Sequence, residues 1–308
     1  MCSRYLLRIS YDGSRFAEMA KGNTGCGVLH QLENVILYTL GKDSDMKVVC
    51  SPSSRTDKGV HALNNAILMK VYPKYDINPN KTEFLNKFNS IIDIVSPNGM
   101  KIIDCTEVSP GFCERRHVSY RIYTYRLAIA KDYDIYKGYK ESTSLAYMSE
   151  KNYAWILPPG FDTGKAQEAC NMFIGLHNMA SFFKHSKYTR QKEIIKNISS
   201  KSTWKYIYLL QVGAGKAKSF ENDLFDYVNV SIVSRSFIRQ QIRKMISVIT
   251  LYGYGRMEKS TIKYLLERPE PSNFFNMNIP VAPPQGLFLT DVVYDPSLYM
   301  EPIPYYND

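Results

Sequence analysis

The chain has 308 residues, 44% of them hydrophobic, which suits two modest domains or one large one and excludes a peptide-sized or disordered protein. A formal net charge of +10 points to a polyanionic partner, most simply nucleic acid. Cys2, Cys26, Cys50, Cys105, Cys113 and Cys170 contain no C-x-x-C pair. His30, His61, His117, His177 and His185 complete no zinc pattern, and no apolar run reaches the length of a membrane span.

Tyr5–Tyr11 reads as a strand that ends at the Asp12-Gly13 turn. Its basic residues belong to a strand, so no mitochondrial presequence or secretory signal is evident. Val28, Leu32, Val35, Ile36 and Leu40 share a helical face, and Gly41 follows as a C-terminal cap. Lys47–Ser51 and Ala66–Tyr72 read as strands on either side of a polar turn. A helix starts at Thr82, and Lys101–Val108 closes the set. The order β-α-β-β-α-β is ferredoxin-like.

Beyond the Ser109-Pro110-Gly111 turn the same order recurs with longer insertions. Arg121–Ala130 alternates aromatic and polar residues like a half-exposed strand, and Lys131 to Lys151 reads as a surface loop. Gly164–Ile174 is helical, Thr203–Val212 and Phe225–Val233 are strands, Ser236–Leu251 and Lys259–Glu267 are helices, and Leu287–Tyr294 is a last strand. The expectation is α+β: two ferredoxin-like halves, antiparallel sheets with helices on one face, and a basic RNA-binding cleft between them. Residues 1–110 form the first subdomain and 111–308 the second, which carries the basic helix 236–251.

Four stretches can carry chemistry. Asp57 sits two residues from Arg55 in the polar turn, where a paired guanidinium can orient a carboxylate and keep it charged. Taken alone, an R-x-D of this kind is more often a structural pair that pins a hairpin. Arg235, Arg239 and Arg243 are spaced four apart beside an apolar stripe of Ile238, Ile242, Ile246 and Ile249, so one helix face can offer guanidinium groups to phosphates or be a solvated basic edge. Tyr123 and Tyr125 share a strand face with Arg121, suited to stacking on a splayed base or to core packing. Lys184, Lys187, Arg190, Lys192 and Lys196 add a basic segment.

These residues resemble a known family. Ser54-Arg55-Thr56-Asp57-x-Gly59-Val60-His61-Ala62 looks like the G-R-T-D-A-G-V-H-A signature of the TruA family of tRNA pseudouridine synthases. The longer S-S-R-T-D-x-G-V-H-A-L-x-N-A is closer still to its eukaryotic branch of tRNA pseudouridine synthase-like proteins. Tyr11-Asp12-Gly13-x-x-Phe16, Arg121-x-Tyr123-x-Tyr125, Ser236-Phe237-Ile238-Arg239-x-x-Ile242-Arg243 and Gly286-Leu287-Phe288-Leu289 match further family landmarks in order. Ala17-Glu18-Met19 stands where the family has G-W-Q, Asn178-Met179 where D-F is common, and Lys58 where alanine is usual.

The resemblance implies an enzyme that isomerises uridine to pseudouridine in tRNA without metal or organic cofactor. Asp57 would be the catalytic aspartate, with Arg55 pairing to it before substrate arrives and helping to keep the nucleotide flipped out. Tyr123 would stack on the uracil, Leu287 or Leu289 would line an apolar floor, and Arg121, Arg239, Arg243 and His61 would complete substrate binding. It also implies a homodimer with RNA spanning both subunits. The expected setting is soluble and intracellular, in the cytoplasm or the mitochondrial matrix. An RNA-binding or chaperone protein that keeps the fold without turnover is the alternative.

Overall fold

A computed structural model describes residues 2–20, 25–41, 45–139, 145–184, 201–217 and 223–304. The chain is mixed α+β with ten strands among the described residues. It divides into two compact units, Met1–Arg121 with Phe288–Asp308, and Ile122–Leu287. The closing strand thus groups with the first residues of the chain.

In the first unit the elements run β1 (Ser3–Tyr11), α1 (Val28–Thr39), β2 (Lys47–Pro52), β3 (His61–Tyr72), α2 (Lys81–Val95) and β4 (Met100–Glu107). Strand β1 pairs antiparallel with both β3 and β4, and β2 pairs antiparallel with β3. This is the expected β-α-β-β-α-β order. The apolar spacing of α1 does what it predicts: Val28, Leu32, Val35 and Ile36 are buried. Gly41 follows the helix at φ +100, a left-handed conformation that a residue without Cβ adopts freely. Glu33 on the same helix is buried and accepts the Cys50 amide N–H at 2.7 Å, which fixes α1 to β2.

Strand β3 is longer than its apolar run suggests. It begins at His61 because β10 (Leu287–Tyr294) pairs with its first residues, in parallel, as Phe288 opposite His61 and Leu289 opposite Ala62. The partner lies more than two hundred residues away in sequence, so no local pattern announces it. The parallel pair also makes this sheet mixed, where a purely antiparallel one was expected.

The second unit contains β5 (Val118–Ala130, from Ile122 onward), α3 (Tyr133–Gly138), α4 (Leu145–Lys151), β6 (Trp155–Leu157), α5 (Thr163–Phe173), β7 (Gly175–Asn178), β8 (Trp204–Ala214), β9 (Phe225–Ser234), α6 (Gln241–Gly253), α7 (Lys259–Glu267) and α8 (Asn273–Asn276). Its strand order is β5-β9-β8-β7, with β6 parallel to β5. Helix α5 packs against β8 and α6.

Three expectations are corrected here. The stretch from Lys131 to Lys151 carries α3 and α4, whose Ile135, Tyr136, Tyr139 and Tyr147 pack on buried Ala128, Ala130, Ala154, Ile156 and Phe225. The second half of β5 is wholly buried rather than half-exposed. Arg126 there lies against the fully buried Glu150 at 3.0 Å and donates at 2.8 Å to the carbonyls of Tyr153 and Lys216. The carboxylate contact is close but poorly aligned, since Glu150 Oε2 completes no hydrogen bond. Finally, α6 starts at Gln241 and not at Ser236. Gln240 sits at φ +61 and the Gln241 side chain accepts the Ile238 N–H at 3.0 Å, so residues 236–240 form a turn that caps the helix.

Removing one member of a buried ion pair leaves the other charge without compensation. Arg126→Leu is therefore expected to lower unfolding free energy by about 3–5 kcal/mol, measured by urea denaturation. Arg126→Leu combined with Glu150→Leu should recover much of that loss.

Candidate active site

Asp57 lies in the turn between β2 and β3, half-exposed, with Arg55 exposed beside it. The Val60 N–H donates to the Asp57 carbonyl at 3.1 Å, and Gly59 takes φ +79 to close the bend. Several distant segments of the first unit hold this turn from below.

From β1 and the turn after it, Tyr11 Oη and Thr56 Oγ1 share a hydrogen bond of 2.8 Å. Gly13 approaches so closely that a Cβ there would fall 2.1 Å from the Val60 carbonyl oxygen. His61 is buried, and its Nδ1 faces both the Gly13 amide at 3.2 Å and the Asp12 carboxylate at 3.1 Å. One nitrogen serves only one of these at a time, as acceptor in one protonation state and donor in the other. In either state His61 ties the Asp12-Gly13 turn to the head of β3. Its ring also stacks on Phe288, with centroids 4.7 Å apart and planes at 20°.

From β5, Arg121 is buried and its guanidinium is occupied by the two serines that precede Arg55. Nε donates to Ser54 Oγ at 2.6 Å, and Nη2 to the Ser53 carbonyl at 2.9 Å and Ser53 Oγ at 3.1 Å. Arg121 was expected on a strand face open to phosphate; burial instead gives it internal acceptors. Asn65, fully buried, donates to the Ser54 carbonyl at 3.1 Å. The first unit therefore brings Asp57, Arg55, His61, Arg121 and, through β10, Leu289 onto one scaffold. Asn65 and Gly13 stand inside quoted motifs, yet their work depends on contacts that only folding creates.

The second unit holds the other expected residues. Tyr123 is buried, and its ring meets Phe237 edge-on at 5.3 Å. Leu287 is buried at the start of β10. Arg239 is exposed in the turn before α6, and its carbonyl accepts the Lys184 N–H at 3.1 Å. Arg243 is in α6 and donates from Nε to the Ala282 carbonyl at 2.7 Å. Arg235 and Arg239 precede the helix, so the three arginines do not share a helical face. Lys184 is described; Lys187, Arg190, Lys192 and Lys196 lie outside the described residues.

Sequence reasoning missed Lys244. It is buried in α6 with Nζ 3.0 Å from the Phe183 carbonyl, 3.4 Å from that of Ser181 and 4.6 Å from the centre of the Phe274 ring. Burial, then the nearby Lys184 charge, brings its pKa down to about 8. The signal for it was there: α6 is buried on nearly every side, so a lysine within it must find carbonyls. Among the described residues, no three His, Cys, Asp or Glu side chains group as a metal site.

Comparison with known proteins agrees with the motifs. A family model described as tRNA pseudouridine synthase matches residues 169–295. The tRNA pseudouridine synthase-like 1 proteins of Xenopus laevis and Mus musculus are 26% and 27% identical, each over 95% of this chain and 92% and 94% of their own lengths. The tRNA pseudouridine synthase A of Caldicellulosiruptor saccharolyticus is 27% identical over 94% of this chain and 98% of its own. All fall in one class, enzymes named for making pseudouridine in tRNA. The chain is similar to tRNA pseudouridine synthases over nearly its whole length.

Arg121→Ala should lower stability by about 1–3 kcal/mol and speed amide hydrogen exchange across Ser53–Val60. Arg121→Lys should restore little of either, because a single ammonium cannot reproduce the guanidinium fork. For Lys244, the folded pKa of about 8 lies below the ordinary 10.5, so the folded state binds fewer protons between these values. Stability of the native protein relative to Lys244→Met should therefore rise as pH increases through that window, measured by denaturation at a series of pH values.

Proposed function

We propose that this protein converts uridine to pseudouridine in tRNA, with Asp57 as the catalytic aspartate. The observation that carries the reading is the way Tyr11, Gly13, His61 and Arg121 immobilise the turn while Asp57 stays half-exposed at its edge. A carboxylate held in that way can start a reaction at the sugar.

The reaction is an isomerisation and so needs no co-reactant. The C1′–N1 glycosidic bond of the target uridine breaks, the uracil turns, and C1′ bonds to C5. The C5 hydrogen leaves as a proton, and N1 gains one. Asp57 begins the sequence either by attack on C1′ or by taking a proton from the ribose; the same carboxylate position serves both routes. Reaching a base inside folded RNA requires its extrusion from the stack. In this reading Arg55 pairs with Asp57 before substrate binds and helps keep the nucleotide flipped out. Tyr123 stacks on the uracil, Leu287 and Leu289 form an apolar floor, and Arg239 and Arg243 meet phosphates. His61 and Arg121, both buried, contribute by holding the Asp57 turn.

The finer architecture belongs to the same reading: two ferredoxin-like halves, with Asp57 in residues 1–110 and Tyr123 in 111–308, taking RNA along a basic cleft as a homodimer. The 4-1-3-2 arrangement of β1–β4 supports it for the first half. No described helix is long and apolar enough to cross a membrane.

The test uses tRNA carrying uridine tritiated at C5. Native protein should release the label as C5 loses its hydrogen. Asp57→Ala should release none above background while binding tRNA within about twofold of native, since an interaction made only in the transition state is lost. Full turnover by Asp57→Ala would exclude the assignment. Binding without label release by the native protein would instead favour an RNA-binding or chaperone role.

A further inference from the structure

Strand β8 has two faces of different character. Ile207 and Leu210 point inward and are buried with Ile232 of β9, on the side where α5 packs. The other face carries Trp204, Tyr206 and Tyr208, which are 49%, 51% and 52% exposed. Leu176 of the neighbouring β7 pairs directly with Tyr206 and is 58% exposed, and Leu209 is 40% exposed. The Tyr206 and Tyr208 ring centres are 5.0 Å apart with their planes at 42°. Three aromatic rings half in water on one short strand is an arrangement that folding alone does not favour, and such patches mark interaction sites.

The surrounding charge says what kind of partner fits. Lys205 alternates with these rings and so lies on the opposite face, donating to Ser236 Oγ at 3.0 Å; the cation on the side of the rings is Arg235. Arg235 is exposed at the end of β9, and the β8–β9 register, continued by one residue, sets it opposite Tyr206. A nucleic acid offers both complements at once: phosphates for the cation and base faces for the rings.

We propose that the outer face of β8, formed by Trp204, Tyr206 and Tyr208 with Arg235 at its end, is an RNA-docking platform. It takes unpaired or splayed bases of the substrate RNA by stacking, separately from the target uridine. The inference rests on the reading of this protein as an RNA-modifying enzyme and adds a substrate contact to it. It accounts for rings kept at the surface, and it makes substrate selection depend on RNA outside the reacting nucleotide.

The experiment compares native protein with a Trp204→Ala/Tyr206→Ala/Tyr208→Ala variant, using unmodified tRNA. Three measurements are made: equilibrium binding, kcat and KM from C5 label release, and the sedimentation coefficient without RNA. The platform predicts that Kd and KM rise about 5- to 100-fold, as loss of base stacking brings, while kcat stays within about twofold. Tyr206→Phe/Tyr208→Phe, which keeps the rings, should bind as native does, and Leu176→Ala should do the same. If the triple variant does not fold, Trp204→Ala and Tyr206→Ala are read singly in the same way. Unchanged Kd in a folded variant overturns the proposal. So does a loss of affinity that comes with a fall from dimer to monomer, because the face is then an interface between copies. If native protein binds tRNA but releases no label, the proposed activity fails, while the binding comparison still decides the platform.

Discussion

The Asp57 turn rests on a buried guanidinium. Arg121 cannot shed its charge, so taking it out of water requires acceptors for its donors. Ser53 and Ser54 supply them with two hydroxyls and a carbonyl, and those two residues lead straight into Arg55 and Asp57. The cost of leaving a buried cation unsatisfied therefore fixes the backbone next to the carboxylate. Gly13 acts from the other side, where the absence of a Cβ lets the chain lie against the Val60 carbonyl. A rigid turn with its acidic side chain at the edge follows from these two contacts, one electrostatic and one steric.

The same accounting governs the rest of the chain's positive charge. Arg126 and Lys244 spend their donors on backbone carbonyls or on Glu150. Arg55, Arg235 and Arg239 are exposed. A net charge of +10 thus overstates what is offered to a polyanion, because several cations are structural. Tyrosine divides in a similar way. Tyr125 is fully buried with its hydroxyl on the Pro283 carbonyl, whereas Tyr206 and Tyr208 stand in water.

Much of the fold was legible because it depends on local periodicity. The spacing of Val28, Leu32, Val35 and Ile36 specifies α1, and the apolar runs specify β1, β2 and β4. The errors fall where a distant partner decides. Strand β3 starts at His61 because β10 pairs with it there. Helix α6 starts at Gln241 because a left-handed Gln240 and the Gln241 side chain end the preceding turn, although the pattern from Ser236 onward is helical. The end of β5 looked half-exposed because alternating Tyr and Arg residues normally face water on one side, yet Glu150 makes burial of Arg126 tolerable.

For the candidate site, the amino-acid sequence by itself determined the identity and order of the motifs, and with them the resemblance that singles out Asp57. Motifs are strings, and strings keep their meaning without coordinates. Only the tertiary structure decided which members of those motifs support the turn and which stay at the surface. Arg121 and His61 read as substrate contacts until folding buried them under the turn. Burial and hydrogen-bond partners come from segments far apart in the chain, and a side chain's chemistry is settled by that surrounding as much as by its own type.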